Sequence, residues 1–447
     1  MKKRSMVLAA ALAGAALLAA GYGMANRQRF LPEAVSESSW VWLTGGADET
    51  AIQPQAERDF VRAELTYDAG TRTLRGTQSV TITNRTGAPL QEIVLRAYMN
   101  GWTGASAVVS GAMLAGEAIR FAEDADDPTV LRADCTLAAG ETAELTFTVM
   151  LRHAKDSGIV QLPVPALWAD GAWRADAFDA LVDSSYAEAF DFTVTVDGTL
   201  AAQMRGARDA SFALNPQGKT RSRTACGVRI TAMAQDSKRA NTLLDCAEDA
   251  LESLRGAGLP YPFEALTIVQ AQTGRTDGRA LSGLIALEAD ADRETLTRRI
   301  TRLIARETFG IWVESDPWNA PWLSESLASC AEMLAYRQRK GRTAFDERLY
   351  GEIELSTRLT RPQGVTVGAG VAHFGGDAEM TQVLRDQGAA MLLGMEQAMG
   401  EEAFLRALTL YVERHAGAMA EEGDLAAALE EASGSSWAGY LADGLLS

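Results

Sequence analysis

Histidine is scarce in this 447-residue chain: there are three, His153, His373 and His415, and no two lie close in sequence. A local histidine pair that could bind a metal from one helix face is thereby excluded, since such pairs sit a single turn apart. Cysteine is almost as rare. Cys135, Cys226, Cys246 and Cys330 are widely spaced and form no CxxC pair, which excludes a zinc ribbon and a disulfide-built scaffold. Buried thiols, with room for one disulfide, are the expectation. Basic clusters are missing too, apart from one arginine stripe, and the net charge is −17. Nucleic acid is therefore not an expected partner. Internal repeats and low-complexity segments are absent.

What is present is an ordinary globular composition, 47% hydrophobic and 23% charged, in a chain long enough for two or three domains with substantial cores. The first thirty residues read as targeting sequence. Lys2, Lys3 and Arg4 form a positive start, Met6 to Ala25 carry no charge, and Gly23 and Ala25 suit a small-x-small cleavage site. Twenty uncharged residues also suffice to span a bilayer. Tyr22 stands where a lipobox would need cysteine. Export is expected, to an extracellular location or one anchored on the outer face of a membrane, with cleaved signal (1–25) and retained anchor both open. Residues 26–55 are polar and irregular and read as a linker.

A β-rich region follows, expected over 56–235. Val61, Ala63, Leu65 and Tyr67 alternate with polar residues up to Asp68-Ala69-Gly70, and Val80 and Ile82 precede the turn Asn84-Arg85-Thr86-Gly87. Ile93 to Tyr98 suggest a third strand. Leu145, Phe147, Val149 and Leu151 alternate clearly, as do Phe190, Phe192, Val194 and Val196. Short strands separated by turns point to an antiparallel sandwich or saddle.

Near residue 236 the period changes, and 236–447 is expected to be an α+β unit with a helical tail. Leu243, Leu244, Ala247, Leu251 and Leu254 mark a helix ending at Gly256, and Leu266 to Ala271 a strand. Helices are expected from Met380 to Met399, Ala403 to His415 and Leu425 to Ala432, with Gly400 and Gly434 as caps. Between them lies the stretch 294–336. Leu296, Ile300, Leu303 and Ile304 give one apolar helix face, preceded by Asp290 and Asp292 at cap and first-turn positions. Arg298, Arg302 and Arg306 form a second stripe at i, i+4 and i+8. Pro317 and Pro321 predict a loop, with a second helix from about Ser324 to Gly341.

This stretch resembles the active-site helix pair of the membrane alanyl aminopeptidase family, zinc metallopeptidases of the gluzincin type. In that family a His-Glu-x-x-His helix is followed by Trp-Leu-Asp/Asn-Glu-Gly, whose Glu is the third zinc ligand, nineteen residues after the second His. Here Pro321-Trp322-Leu323-Ser324-Glu325-Ser326-Leu327-Ala328 is similar to the second segment, and nineteen residues before Glu325 lies Arg306. Ile304, Ala305, Phe309 and Gly310 then fit the first segment, but both histidines are arginine (Arg302, Arg306) and the general base is Leu303. The exopeptidase motif resembles Gly278-Arg279-Ala280-Leu281-Ser282-Gly283-Leu284, with Ala280 where a Glu would hold the substrate amine. Arg385, in Arg385-Asp386-Gln387-Gly388, stands at the place of the transition-state tyrosine. The resemblance covers roughly 56–447 and implies a β saddle followed by a thermolysin-like α+β domain with a helical C-terminal part.

Arginine has only N–H donors, remains charged and repels cations, so it cannot replace a zinc-binding histidine. One carboxylate cannot hold zinc alone. These departures imply a pseudoenzyme: no catalytic residue, no metal and no cofactor, with a degenerate cleft left to bind a peptide or protein. The alternative is a working zinc aminopeptidase. Two placements of the arginines follow. Either Arg298, Arg302 and Arg306 form a solvated face, or Arg302 and Arg306 turn into the cleft and one of them meets Glu325. His373 is expected to be a loop residue, and Trp312, Trp318 and Trp322 to be packing residues.

Overall fold

Alternation of apolar and polar residues in Phe60–Asp68 buries Val61, Ala63 and Leu65 on one face of a strand, β1. The same logic builds β2 (Thr73–Thr83), β3 (Ser106–Leu114), β4 (Glu117–Ala118), β5 (Thr142–Arg152), β6 (Phe190–Val196) and β7 (Thr199–Ala207). They form one seven-stranded sheet in the order β7-β6-β1-β2-β5-β3-β4. Its neighbours are antiparallel with one exception. β1 runs parallel to β6, pairing Phe60 with Asp191 through Leu65 with Val196. A four-stranded sheet built around Leu90–Arg96 and Val130–Leu137 shares its core. The structure is a computed structural model and describes residues 51–446 except 56–57, 156, 183–186, 216–217 and 355–363. The expected signal or anchor segment and most of the expected linker lie outside the described residues.

A second, mixed sheet comprises β8 (Lys219–Ala225), β9 (Val228–Ala234), β10 (Ala265–Gln270), β11 (Arg279–Leu281) and β12 (Leu284–Leu287), in the order β8-β9-β10-β12-β11. The central pairs β9/β10 and β10/β12 are parallel, and β11 is an antiparallel edge strand. The change of period at 236 marks the start of a helix, α1 (Ser237–Gly256), capped by the Asp236 carboxylate on the Arg239 N–H. The sheet on which α1 packs begins earlier, with β8.

Two helices cross this sheet's core, α2 (Arg293–Glu307) and α3 (Pro321–Lys340). Asp292 is the N-cap of α2, accepting from the Thr295 N–H, while the first-turn acid is Glu294 and not Asp290. Pro321 does not extend the loop. It is the first residue of α3, a position where its missing N–H leaves nothing unsatisfied, so this helix starts three residues earlier than Ser324. Helices α4 (Gly388–Met399), α5 (Glu401–His415), α6 (Glu422–Ser433) and α7 (Ala438–Leu445) make up the carboxyl-terminal part, and Gly434 closes α6 in the left-handed conformation. The class is therefore α+β, a β unit followed by a sheet-and-helix unit with a helical end. Among the described residues no helix is long and apolar enough to cross a membrane. The four cysteines are free thiols, with Cys246 and Cys330 buried.

The β1–β2 pairing tolerates no side chain at Gly76, where an added Cβ would lie 1.9 Å from the Glu64 carbonyl oxygen. Gly76→Ala is expected to lower stability by about 1–3 kcal/mol in urea unfolding, as overpacking does. An unchanged midpoint would show that these strands are not held at this spacing.

Candidate functional site

Helix α2 brings Arg302 and Arg306 one turn apart onto the side that faces α3, and α3 presents Glu325 to them. All three are buried, with Glu325 2% exposed. Arg306 donates from Nε to Glu325 Oε1 at 2.9 Å, and Arg302 donates from Nη1 to Oε2 at 3.3 Å. Arg385, in the wide helical turn Thr381–Gln387 before α4, adds a third guanidinium, Nε to Oε2 at 2.9 Å. Arg302 and Arg306 both meet Glu325. Arg298, one turn earlier on α2, remains the solvated end of the stripe and pairs with Glu352 at 2.8 Å.

Three cations around one carboxylate need further anions, because an unpaired buried charge is strongly unfavourable. Asp277 supplies one. It lies 2.9 Å from Arg385 Nη1, 3.5 Å from Arg302 Nε and 3.4 Å from Arg299 Nε. Asp377 extends the network through Arg275, at 3.1 Å. Asp277, Arg275, Arg299 and Asp377 were not legible as site residues. Counting charges signals that further anions are needed, since three inward arginines cannot be balanced by Glu325 alone, but it does not say which residues supply them.

The electrostatics follow from this arrangement. Burial pushes the Glu325 carboxyl up, but attraction from Arg385, Arg306 and Arg302 overrides it and holds the group well below the usual carboxylate range. Burial, then repulsion from Arg385, brings Arg302 down to about 10, still protonated at neutral pH. Asp277 feels burial too, and Arg302, Arg385 and Arg299 together keep it ionised. Gly310 is required beside them: a Cβ there would lie 2.0 Å from Arg306 Nη1. The guanidinium occupies that space.

Leu303 and Ala280 are both fully buried and belong to the same apolar core. Leu303 packs near Gly278, where an added Cβ would approach its Cδ1 to 3.1 Å. Ala280 lies on the edge strand β11, as the motif places it. Neither can exchange a proton. Behind them Glu307 accepts from the Tyr261 hydroxyl at 2.5 Å and from the Gly283 N–H at 3.1 Å, which ties α2 to the β11–β12 hairpin. Burial pushes Glu307 well above its ordinary value. His373 is an exposed loop residue whose ring contacts the Gly370 carbonyl. Trp322 is fully buried and donates to Glu422 at 2.7 Å, Trp318 donates to the Ala177 carbonyl, and Trp312 packs edge-on against Phe263. All three tryptophans are wall and core residues.

The residues present do not fit a zinc ion. Arg302 and Arg306 offer only N–H donors, both Glu325 oxygens already accept guanidinium N–H groups, and among the described residues no group of three or more His, Cys, Asp or Glu is arranged to hold a metal.

A β unit before a sheet-and-helix unit, with its central helix pair joined through Glu325, defines the class: this is the fold of the M1 aminopeptidases. Residues 280–441 match the model of the peptidase family M1 domain. Over 223 residues the chain is 24% identical to "Aminopeptidase M1-B" of Oryza sativa subsp. japonica, covering 46% of this chain and 25% of that protein. It thus spans about a quarter of that relative's length. Two crystal structures of an M1 zinc metallopeptidase from Deinococcus radiodurans, one of them a point mutant, share the fold. Their TM-scores are 0.59 and 0.58 at 19% and 18% identity, covering 87% of this chain and 93% and 94% of theirs.

Glu325→Ala is expected to destabilise the protein by about 3–5 kcal/mol in denaturant unfolding, because it leaves buried guanidiniums without their anion. A loss below about 1 kcal/mol would mean that Glu325 is not their counterion. Glu307 gives a pH test. Its folded-state pKa is raised, so the folded chain retains a proton that the unfolded chain releases, and its contribution falls as pH rises above about 4.5. The stability of wild type relative to Glu307→Gln should therefore decline across that range. A constant difference would contradict a protonated Glu307.

Proposed function

We propose that this chain is a catalytically silent protein with the aminopeptidase fold, exported from the cell, whose cleft binds a peptide or partner protein without hydrolysing it. One observation carries the reading: both oxygens of Glu325, at the place of the third zinc ligand, are bonded to Arg302, Arg306 and Arg385. Zinc-dependent hydrolysis needs a metal-activated water and a base to take its proton. At these positions stand fixed organic cations and Leu303, and Ala280 offers no anchor for a substrate amine. The guanidinium charge substitutes for metal charge in holding α2 and α3 together, which explains how the fold persists with an altered centre. The amino-terminal segment supports delivery outside the cytoplasm, as a secreted or membrane-tethered protein.

A second reading, a zinc-dependent aminopeptidase removing N-terminal residues from peptides, draws on the match of residues 280–441 to the M1 domain. Metal analysis of protein purified without an affinity tag separates the two, together with turnover of alanyl and leucyl chromogenic amides. The silent reading expects far less than one zinc per chain and no EDTA-sensitive turnover. Stoichiometric zinc with such turnover would overturn it. The triple variant Arg302→His, Leu303→Glu, Arg306→His is expected to gain zinc without full activity, because Ala280 and Arg385 still lack the amine anchor and the oxyanion donor.

A further inference from the structure

Beside the arginine cluster lies a cleft of about 910 Å³ between the β unit and the second sheet. Its described lining holds five cationic side chains, Arg72, Arg152, Lys155, Arg275 and Arg279, against one carboxylate, Asp377. That is the reverse of the molecule as a whole, whose net charge is −17. A positive cleft in an acidic body concentrates its field where the walls exclude water, and it attracts anions while the rest of the surface repels them.

The cations fall into two tiers. At the inner end Arg275 is bonded to Asp377, which itself approaches Arg385 to 4.0 Å, so the cleft floor is the outer layer of the cluster around Glu325. Arg279 extends from the edge strand β11, donates to the carbonyls of Thr273 and Ala180, and lies over the Trp102 ring at 6.0 Å. At the mouth Arg152 and Lys155 are exposed and Arg72 is half-buried. Arg72 Nε is buried with no hydrogen-bond partner among the described residues. Its backbone is left-handed, φ 57°, at a turn position that glycine would occupy with less strain. An arginine at such a position, with a buried donor unused, supplies something other than turn geometry.

We infer that this cleft selects acidic peptide segments. The inference rests on the peptide-binding reading above and adds its charge preference. A peptide suits the lining better than a compact anion does, because an edge strand and the partly buried rings of Trp102 and Phe178 lie beside the cations. Carboxylates along an extended chain would meet the mouth arginines first and Arg279 further in.

The test is fluorescence anisotropy of labelled peptides of equal length, alternating glycine with glutamate, glutamine or lysine, with inorganic polyphosphate as competitor. The full-length protein should bind the glutamate peptide about tenfold or more tighter than the other two at low salt, an advantage that shrinks as salt screens the charges. Arg152→Glu/Lys155→Glu, both at exposed positions of the mouth, should abolish that preference and favour the lysine peptide. Equal binding of the glutamate and glutamine peptides would overturn the charge selection and leave peptide binding standing. Binding of none of the three would overturn both. Capture of polyphosphate but not the glutamate peptide would assign the cleft to phosphate polymers and overturn the inference.

Discussion

The bonds from three guanidiniums to the Glu325 carboxylate are the interaction on which the centre of the molecule depends. Charges buried this deeply are tolerated only when each finds partners, since desolvation alone costs several kcal/mol per ion. Glu325 therefore fixes the approach of α2 to α3, and through Arg385 it fixes the segment leading into α4. Asp277 pairs with two of them, Arg302 and Arg385, from the loop before β11. Four separated parts of the chain converge on two carboxylates. A metal ion could provide such convergence from a single point. Here planar donors provide it, and each can bond two acceptors at once.

The second layer is uncharged in character. Glu307, whose pKa burial pushes well up, ties the carboxyl end of α2 to Tyr261 and Gly283. Leu303 and Ala280 fill the volume between helix and edge strand with hydrocarbon. Proton donors and acceptors near the centre are thus either locked into ion pairs or buried behind an apolar layer. Such an arrangement favours a rigid scaffold at the centre.

Much of this was legible from residues alone. Alternation in β1, β5 and β6 was strong because one face of each strand is buried, and the heptad-like apolar spacing of α1 and α2 identified both helices. The weaker strands β3, β7, β8 and β9 escaped notice: Gly111, Gly206 and small or polar residues blur their alternation, and pairing with neighbours determines them instead. Pro321 reads as a breaker in isolation, yet the first helical turn accepts proline. At the site, the register linking Arg306 to Glu325 could be read because it spans nineteen residues of continuous motif. Asp277 and Asp377 join the cluster from distant loops, and no local pattern announces a partner that only the tertiary fold supplies.

The parallel pairing of β1 with β6 has a consequence for how the protein comes into being. Phe60 pairs with Thr81 on one side, but its neighbour on the other side is Asp191, so the first strand of the sheet waits through about 130 residues of intervening chain before it can be enclosed on both sides. Contacts so remote in sequence form slowly, because a long loop must close before it is rewarded. The sheet is therefore completed only after most of the β unit has been made, and its earlier antiparallel pairs stand as a partial sheet until then.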